Sequence, residues 1–234
     1  MTKDSRLNEW FVPKFGPLKF RLFIGLLFLP YTGMCISFVV LGALLSPNLN
    51  FERLFSICLI YFMSLGIAAH VADNIGSKKI KPWGNLFSKN QSWGLITLCL
   101  VLSYLMAFYY IVYFTPLLLA VGILEIFFLF VYNFELFNGF FHNDFWFSFS
   151  WGMLPFFAGF IIQTNYITLN SILVSIIPFF LSYAEIKISR PYKSYKRHDE
   201  NLNKVKLYEK ILKILSLGTI LTTLLIFFLK ILMI

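Results

Sequence analysis

Hydrophobic and polar positions divide this 234-residue chain into long apolar runs separated by short polar segments. A hydrocarbon core about 30 Å thick needs about 20 apolar residues per helix. The pattern therefore predicts an all-α, multi-pass transmembrane helical bundle. The seven predicted spans are Leu22–Leu45, Leu54–Ala72, Trp93–Tyr113, Pro116–Tyr132, Phe145–Ile162, Leu169–Tyr183 and Ile211–Ile234.

The composition also indicates an integral membrane protein. Hydrophobic residues make up 59% of the chain and charged residues 13%, with a mean hydropathy of +0.75. Soluble domains are about 45 to 50% apolar and about 25% charged. We predict one domain, residues 1–234, in which residues 1–21 form a cytoplasmic tail and residues 22–234 form the bundle.

The net charge of +9 would suggest a nucleic-acid partner in a soluble protein, but its distribution indicates topology. All of the 20 Lys and Arg residues except Arg53 and Lys230 fall on one side of the predicted spans. The cytoplasmic side of a membrane protein is the one enriched in Lys and Arg. We therefore predict a cell-membrane protein with a cytoplasmic N-terminus, an external C-terminus and no nucleic-acid partner.

Polar side chains cluster at the end of the second predicted helix. His70, Asp73 and Asn74 are spaced i, i+3 and i+4, which places them on one helix face. A carboxylate at a helix C-terminus opposes the helix dipole by about 0.3 to 1 kcal/mol. A metal ion, a cationic partner such as Lys78 or Lys79, or solvation would compensate for this.

The end of the sixth predicted helix has the same order of features, an apolar run, an acid and then basic residues. Glu185 is followed by Lys187, Ser189 and Arg190, and we predict a basic loop over Lys187–Lys206. The two helix ends together suggest a weak internal repeat.

The fourth predicted loop is acidic, and it contains Glu135, His142 and Asp144 without any Lys or Arg. Three interpretations are open: this loop meets the two basic segments and the three neutralise one another, the three share a metal and an anion, or the residues of this loop only anchor the helix ends. Glu125 lies within the fourth helix, where an ionisable side chain is by default a functional candidate. A protonated or hydrogen-bonded role between helices is the alternative.

These segments, from the first predicted helix to SYAEIKISRPYKSYKR, resemble the UbiA superfamily of intramembrane prenyltransferases. That family has an all-helical bundle, usually of nine spans, with a cavity open to the cytoplasm. Aspartate-rich motifs after its second and sixth helices hold Mg²⁺ and a prenyl diphosphate. In this chain the first motif, Asn-Asp-x-x-Asp-x-x-x-Asp, becomes Ala69, His70, Asp73 and Ser77, and the second retains Glu185.

The resemblance implies catalytic roles for Asp73 and Glu185, and a Mg²⁺ site formed by these two residues and Asn74. Lys and Arg side chains would bind the diphosphate directly, or the acidic fourth loop would supply further carboxylates. The substrate-binding residues it implies are His70, Asn74, Lys78, Lys79, Lys187, Arg190, Tyr132 and Tyr183.

The function implied is transfer of a prenyl group from an isoprenoid diphosphate to a lipophilic or aromatic acceptor in the lipid bilayer. Aromatic faces would stabilise the allylic carbocation. One alternative is a catalytically degenerate relative that binds a polyprenyl lipid or serves as a subunit of a membrane enzyme. A transporter that uses Glu125 is the third reading.

Overall fold

The computed structural model describes residues 6–76, 83, 87–198 and 201–233, and this part of the chain is helical without strands. The prediction of an all-α, multi-pass bundle is confirmed. The helices long and apolar enough to cross a membrane are α1 (Leu18–Leu44), α2 (Phe51–Gly76), α3 (Lys89–Tyr113), α5 (Asp144–Thr164), α6 (Leu169–Arg197) and α7 (Leu202–Leu232). A shorter apolar helix, α4 (Leu118–Asn133), precedes α5.

The polar ends of α6 and α7 are helical, which corrects the predicted loop. We predicted that the sixth span ends at Tyr183 and that Lys187–Lys206 is a loop, but α6 continues to Arg197 and α7 begins at Leu202. A helix hydrogen-bonds its own backbone, so it does not have to stop where its apolar run stops. Pro191 lies inside α6, where it removes one of these hydrogen bonds without ending the helix.

A break at Phe28 divides α1 into two parts. Pro30 lacks the N–H that would continue the hydrogen-bond ladder, and Phe28 adopts a left-handed conformation with φ of 45°. The Thr32 hydroxyl donates to the Leu27 carbonyl oxygen at 2.7 Å, which satisfies a carbonyl at the break. As a result, the Phe28 side chain is buried at this end of the bundle.

Two π-helical segments interrupt other helices near the same end. One covers Phe62–Ala69 in α2 and stops immediately before His70, and the other covers Phe149–Met153 in α5 and contains Trp151. Segments of this kind insert an extra residue per turn and are frequent at functional sites. Both π-helical segments therefore lie near the end of the bundle where α1 breaks.

The backbones of α1 and α5 are in direct contact at two glycines. A Cβ added to Gly42 would overlap the Phe156 carbonyl oxygen, and one added to Gly159 would overlap the Val39 carbonyl oxygen. Small residues permit such close approach between helices in a membrane. This contact fixes the part of α1 that follows the break at Phe28 relative to the π segment of α5.

The N-terminal segment from residue 6 is docked on α6 and α7, although we predicted a tail there. The buried Glu9 carboxylate accepts from the Tyr192 hydroxyl at 2.7 Å and from Lys196 Nζ at 2.9 Å. The Tyr192 hydroxyl is also 3.1 Å from Glu209 on α7. A buried polar network therefore joins the start of the described chain to the bundle.

Candidate functional site

A cavity of about 240 Å³ opens at the end of the bundle where α1 breaks, α2 and α4 end, α5 begins and α6 extends outward. We call it the polar cavity, because charged and polar side chains from four chain segments line it. These side chains are Tyr31, His70, Asp73, Tyr132, Asn133, His142, Glu185, Ser189, Arg190 and Lys193. It lies on the side that the basic residues predict to be cytoplasmic.

One face of α6 contributes to the polar cavity at helical spacing. Glu185, Ser189 and Lys193 are spaced i, i+4 and i+8, and all three line the cavity. Lys193 was missed as a site residue because we expected α6 to end at Tyr183. Extending the helical period of 3.6 residues from Glu185 would have identified it.

Two predicted substrate-binding residues of α6 lie outside the polar cavity. Lys187, two residues after Glu185, has a side chain that is 54% exposed, and its Nζ is 5.4 Å from the centre of the Tyr183 ring. Tyr183 stacks on Phe179 with a distance of 6.4 Å between ring centres. The structure therefore does not place Lys187 and Tyr183 in the cavity that holds Asp73 and Glu185.

Asp144, at the start of α5, pairs with two cations of α6. Its carboxylate lies 2.8 Å from Lys187 Nζ and 3.1 Å from Arg190 Nη1. This pairing confirms that the acidic fourth loop meets the basic stretch that follows Glu185. The Arg190 guanidinium also lies beside the Tyr132 hydroxyl, so Asp144 holds Arg190 at the wall of the polar cavity.

The two carboxylates of the polar cavity share a cation. Lys193 interacts electrostatically with both Asp73 and Glu185. Asp73 also interacts favourably with Arg6 of the docked N-terminal segment and with His142. The charge of Asp73, which we expected to need compensation, is thus partly offset by side chains from distant parts of the chain.

Aromatic rings enclose His70 at the inner side of the polar cavity. The imidazole stacks on Phe28 with 4.7 Å between ring centres, and the centre of the nearest Trp151 ring is 5.2 Å away. Nε2 of His70 is 3.3 Å from the Thr32 hydroxyl oxygen. Because that hydroxyl gives its proton to Leu27, His70 Nε2 acts as the donor in this contact.

Arg6 approaches the aromatic wall from outside the bundle. Its guanidinium carbon lies 4.6 Å from the centre of the Phe28 ring and 5.3 Å from the centre of a Trp83 ring. Phe147 stacks on Trp151 with 5.7 Å between ring centres, which continues the wall along α5. The cavity therefore combines charged side chains with flat aromatic faces.

The remaining predicted ligands do not complete a metal site. Asn74 Oδ1 accepts from the backbone N–H of Trp83 at 3.0 Å, and Asn74 does not line the polar cavity. Lys78 and Lys79 lie outside the described residues. Within the described chain, no group of three or more His, Cys, Asp or Glu side chains is placed to hold a metal ion. Asp73 and Glu185, two of the three Mg²⁺ ligands that the resemblance implies, line the polar cavity, and the Mg²⁺ site stays a prediction.

Glu125 of α4 lies deeper in the bundle, away from the polar cavity. The Tyr61 hydroxyl of α2 donates to its Oε1 atom at 2.7 Å. The sequence did not identify this partner, because the pairing depends on the rotation of α2 relative to α4. Glu125 is thus hydrogen-bonded between helices, which was one of the two sequence-based interpretations.

Fold and site together define a polytopic α-helical membrane protein with a charged, aromatic-walled cavity at one end of its bundle. No protein-family model matches the chain, and the searches of curated proteins and of solved structures found no match either. The resemblance to the UbiA superfamily therefore stays a prediction.

Proposed function

We propose that the protein is a cell-membrane prenyltransferase that transfers a prenyl group from an isoprenoid diphosphate to a lipophilic or aromatic acceptor. The observation that carries this proposal is the composition of the polar cavity, where two cations, two carboxylates and aromatic faces meet at one end of an apolar bundle. An isoprenoid diphosphate has an anionic head and an apolar chain. A charged cavity that borders a membrane-embedded bundle matches both parts.

Lys193 and Arg190 are the side chains that would bind the diphosphate. Charge-assisted hydrogen bonds from Lys and Arg to phosphate are about twice as strong as neutral ones. The guanidinium group has five N–H donors in a planar fork. Arg190 can therefore bind a phosphate oxygen while it remains paired with Asp144.

In the proposed reaction, the bond between C1 of the prenyl chain and the diphosphate oxygen breaks, and the electron pair leaves with the diphosphate. The faces of Phe28, Phe147 and Trp151 would stabilise the allylic cation by cation–π attraction. The acceptor then forms a bond to C1, and its proton passes to the carboxylate of Glu185 or Asp73.

A second candidate is a protein that binds an isoprenoid lipid without transferring it, either alone or as a subunit of another membrane enzyme. The observation that favours it is the interaction of Lys193 with both Asp73 and Glu185. In that arrangement the carboxylates hold Lys193 in place, and they need not act on a substrate.

Binding of tritiated farnesyl diphosphate to the detergent-purified protein tests the shared part of both candidates. Lys193→Met should weaken binding about tenfold or more, since a hydrogen bond to a charged group contributes about 1.5 to 3 kcal/mol. Lys206→Met is the matched control, because Lys206 is exposed on α7 and does not line the polar cavity, and it should bind like wild type. Each titration is run with Mg²⁺ and with EDTA, which measures any metal requirement directly.

The second measurement is the release of diphosphate and the appearance of tritium in an organic-soluble product when membranes supply the acceptor. Product that is lost in Glu185→Gln, with farnesyl diphosphate binding retained, would support transfer. Binding without product would support the second candidate. Absent binding, or an equal loss in both lysine variants, would refute both.

A further inference from the structure

A second cavity, of about 110 Å³, lies between α2, α3 and α4 in the interior of the bundle. We call it the apolar pocket, because most of its wall is aliphatic. A narrow cleft of about 10 Å³ lies between it and the polar cavity. At the rim, Leu119 and Ile123 of α4 are exposed on the membrane-facing surface, so the pocket opens toward lipid.

The size of the apolar pocket suits a small organic group. A dry apolar cavity of about 150 Å³ in another protein binds benzene. The pocket would therefore hold about one ring, or an aliphatic segment of similar volume, and the opening toward lipid leaves room for a longer tail.

Most polar side chains in the wall of the apolar pocket are already bound to backbone. The hydroxyls of Ser64 and Ser103 donate to the Ile60 carbonyl oxygen at 2.8 and 3.3 Å. The Tyr104 hydroxyl donates to the Gly122 carbonyl oxygen at 2.6 Å. These three hydroxyl groups therefore have no proton left to donate to a ligand.

Glu125 differs from the other polar groups of the wall. Its Oε1 accepts from Tyr61, but its buried Oε2 has no hydrogen-bond partner among the described residues. A buried polar atom without a partner is unfavourable, and in a membrane interior water is scarce. A ligand in the pocket would thus meet aliphatic walls and one free carboxyl oxygen.

We propose that the apolar pocket binds an apolar alcohol or phenol from the bilayer, with the ligand hydroxyl hydrogen-bonded to Oε2 of Glu125. A hydroxyl suits this position because it donates to a carboxylate and accepts from a carboxylic acid, so it pairs with Glu125 in either state. The hydrocarbon part of the ligand packs against the aliphatic side chains of α2, α3 and α4. This site does not depend on the proposed transfer reaction.

Photolabelling of the purified full-length protein tests the proposal, with a diazirine derivative of hexanol as the probe and the matching diazirine hydrocarbon without the hydroxyl as the control. Peptide mass spectrometry should place the alcohol adducts on residues 57–65, 100–111 and 118–129. We expect at least about tenfold less labelling there by the hydrocarbon, which neither donates nor accepts a hydrogen bond and so leaves the carboxyl group unpaired. An excess of 4-propylphenol should suppress the alcohol adducts, whereas 4-propyltoluene should not.

The variants separate the carboxyl contact from simple partitioning into an apolar space. Glu125→Leu should lose the preference for alcohol over hydrocarbon, while Ser64→Ala, which changes a hydroxyl of the same wall, should keep it. Equal labelling by alcohol and hydrocarbon in the wild-type protein would overturn the proposal, as would an undiminished preference in Glu125→Leu. If Glu125→Leu does not fold, the comparison of the two probes in wild type decides alone.

Discussion

Removing one hydroxyl at Tyr192 should release the N-terminal segment from the bundle. Tyr192 and Glu9 are 2% and 3% exposed, so their hydrogen bond is shielded from water. In Tyr192→Phe, the Glu9 carboxylate loses the hydroxyl at 2.7 Å, and Lys196 loses an acceptor at 2.6 Å. Lys196 itself remains 2.9 Å from Glu9 and Arg6 remains 3.6 Å from it, so the buried carboxylate keeps two charged partners.

The magnitude follows from these contacts. A hydrogen bond to a charged group contributes about 1.5 to 3 kcal/mol. Because Lys196 still pairs with Glu9, we expect a loss of about 2 kcal/mol in the free energy that docks the segment. This corresponds to a factor of about 30 in the equilibrium between docked and released forms.

Hydrogen exchange of the detergent-solubilised protein measures this equilibrium. The amides of Glu9 and Val12 donate to the carbonyls of Arg6 and Glu9 in the docked segment, so local opening exposes them to exchange. In Tyr192→Phe, peptides that cover residues 6–16 should exchange about 30-fold faster, and α5 peptides should not change. The control is Tyr195→Phe, whose hydroxyl has only a 3.5 Å contact with Lys204. Unchanged exchange in Tyr192→Phe, or equal acceleration in both variants, would contradict the reasoning.

Two further substitutions test how the fold positions the polar cavity. Gly159→Leu should prevent α1 and α5 from packing and give an aggregated or unfolded protein in size-exclusion chromatography. Gly218→Leu is the control and should remain monodisperse, because nothing lies within 4 Å of a Cβ added there. Equal behaviour of the two variants would show that the close contact between Gly159 and Val39 is not required. Thr32→Val should lower the free energy of unfolding by about 1 to 3 kcal/mol, because it removes the donor that satisfies the Leu27 carbonyl. An unfolding curve in mixed micelles that overlaps the wild-type curve would refute this.

The apolar helices were predictable from the sequence because membrane thickness sets a minimum length for each apolar run. The spacing of His70, Asp73 and Asn74 predicted that all three share one helix face, and of these His70 and Asp73 line the polar cavity whereas Asn74 does not. The ends of the helices were not predictable in this way, since the hydrocarbon core limits the apolar run but does not end the helix. Because of that error we missed Lys193 and chose Lys187, which does not line the polar cavity.

Other parts of the site depend on contacts that no local pattern specifies. Arg6 reaches the polar cavity only because Glu9 docks the N-terminal segment on α6, and nothing in residues 6–12 alone predicts that docking. The pairing of Glu125 with Tyr61 depends on how two helices are rotated about their axes. By contrast, charge complementarity predicted the meeting of Asp144 with the basic stretch of α6, because opposite charges at one membrane face attract each other strongly.

The length of α6 sets the depth of the polar cavity in the bilayer. At 1.5 Å per residue, Glu185 lies about 24 Å and Lys193 about 36 Å from the start of the helix, whereas the hydrocarbon core is about 30 Å thick. For a hydrocarbon core that begins at Leu169 and an α6 parallel to the membrane normal, the cavity lies at the boundary between acyl chains and headgroups. An amphiphile would reach it by lateral diffusion at the depth that it already occupies in the leaflet, without leaving the membrane for water.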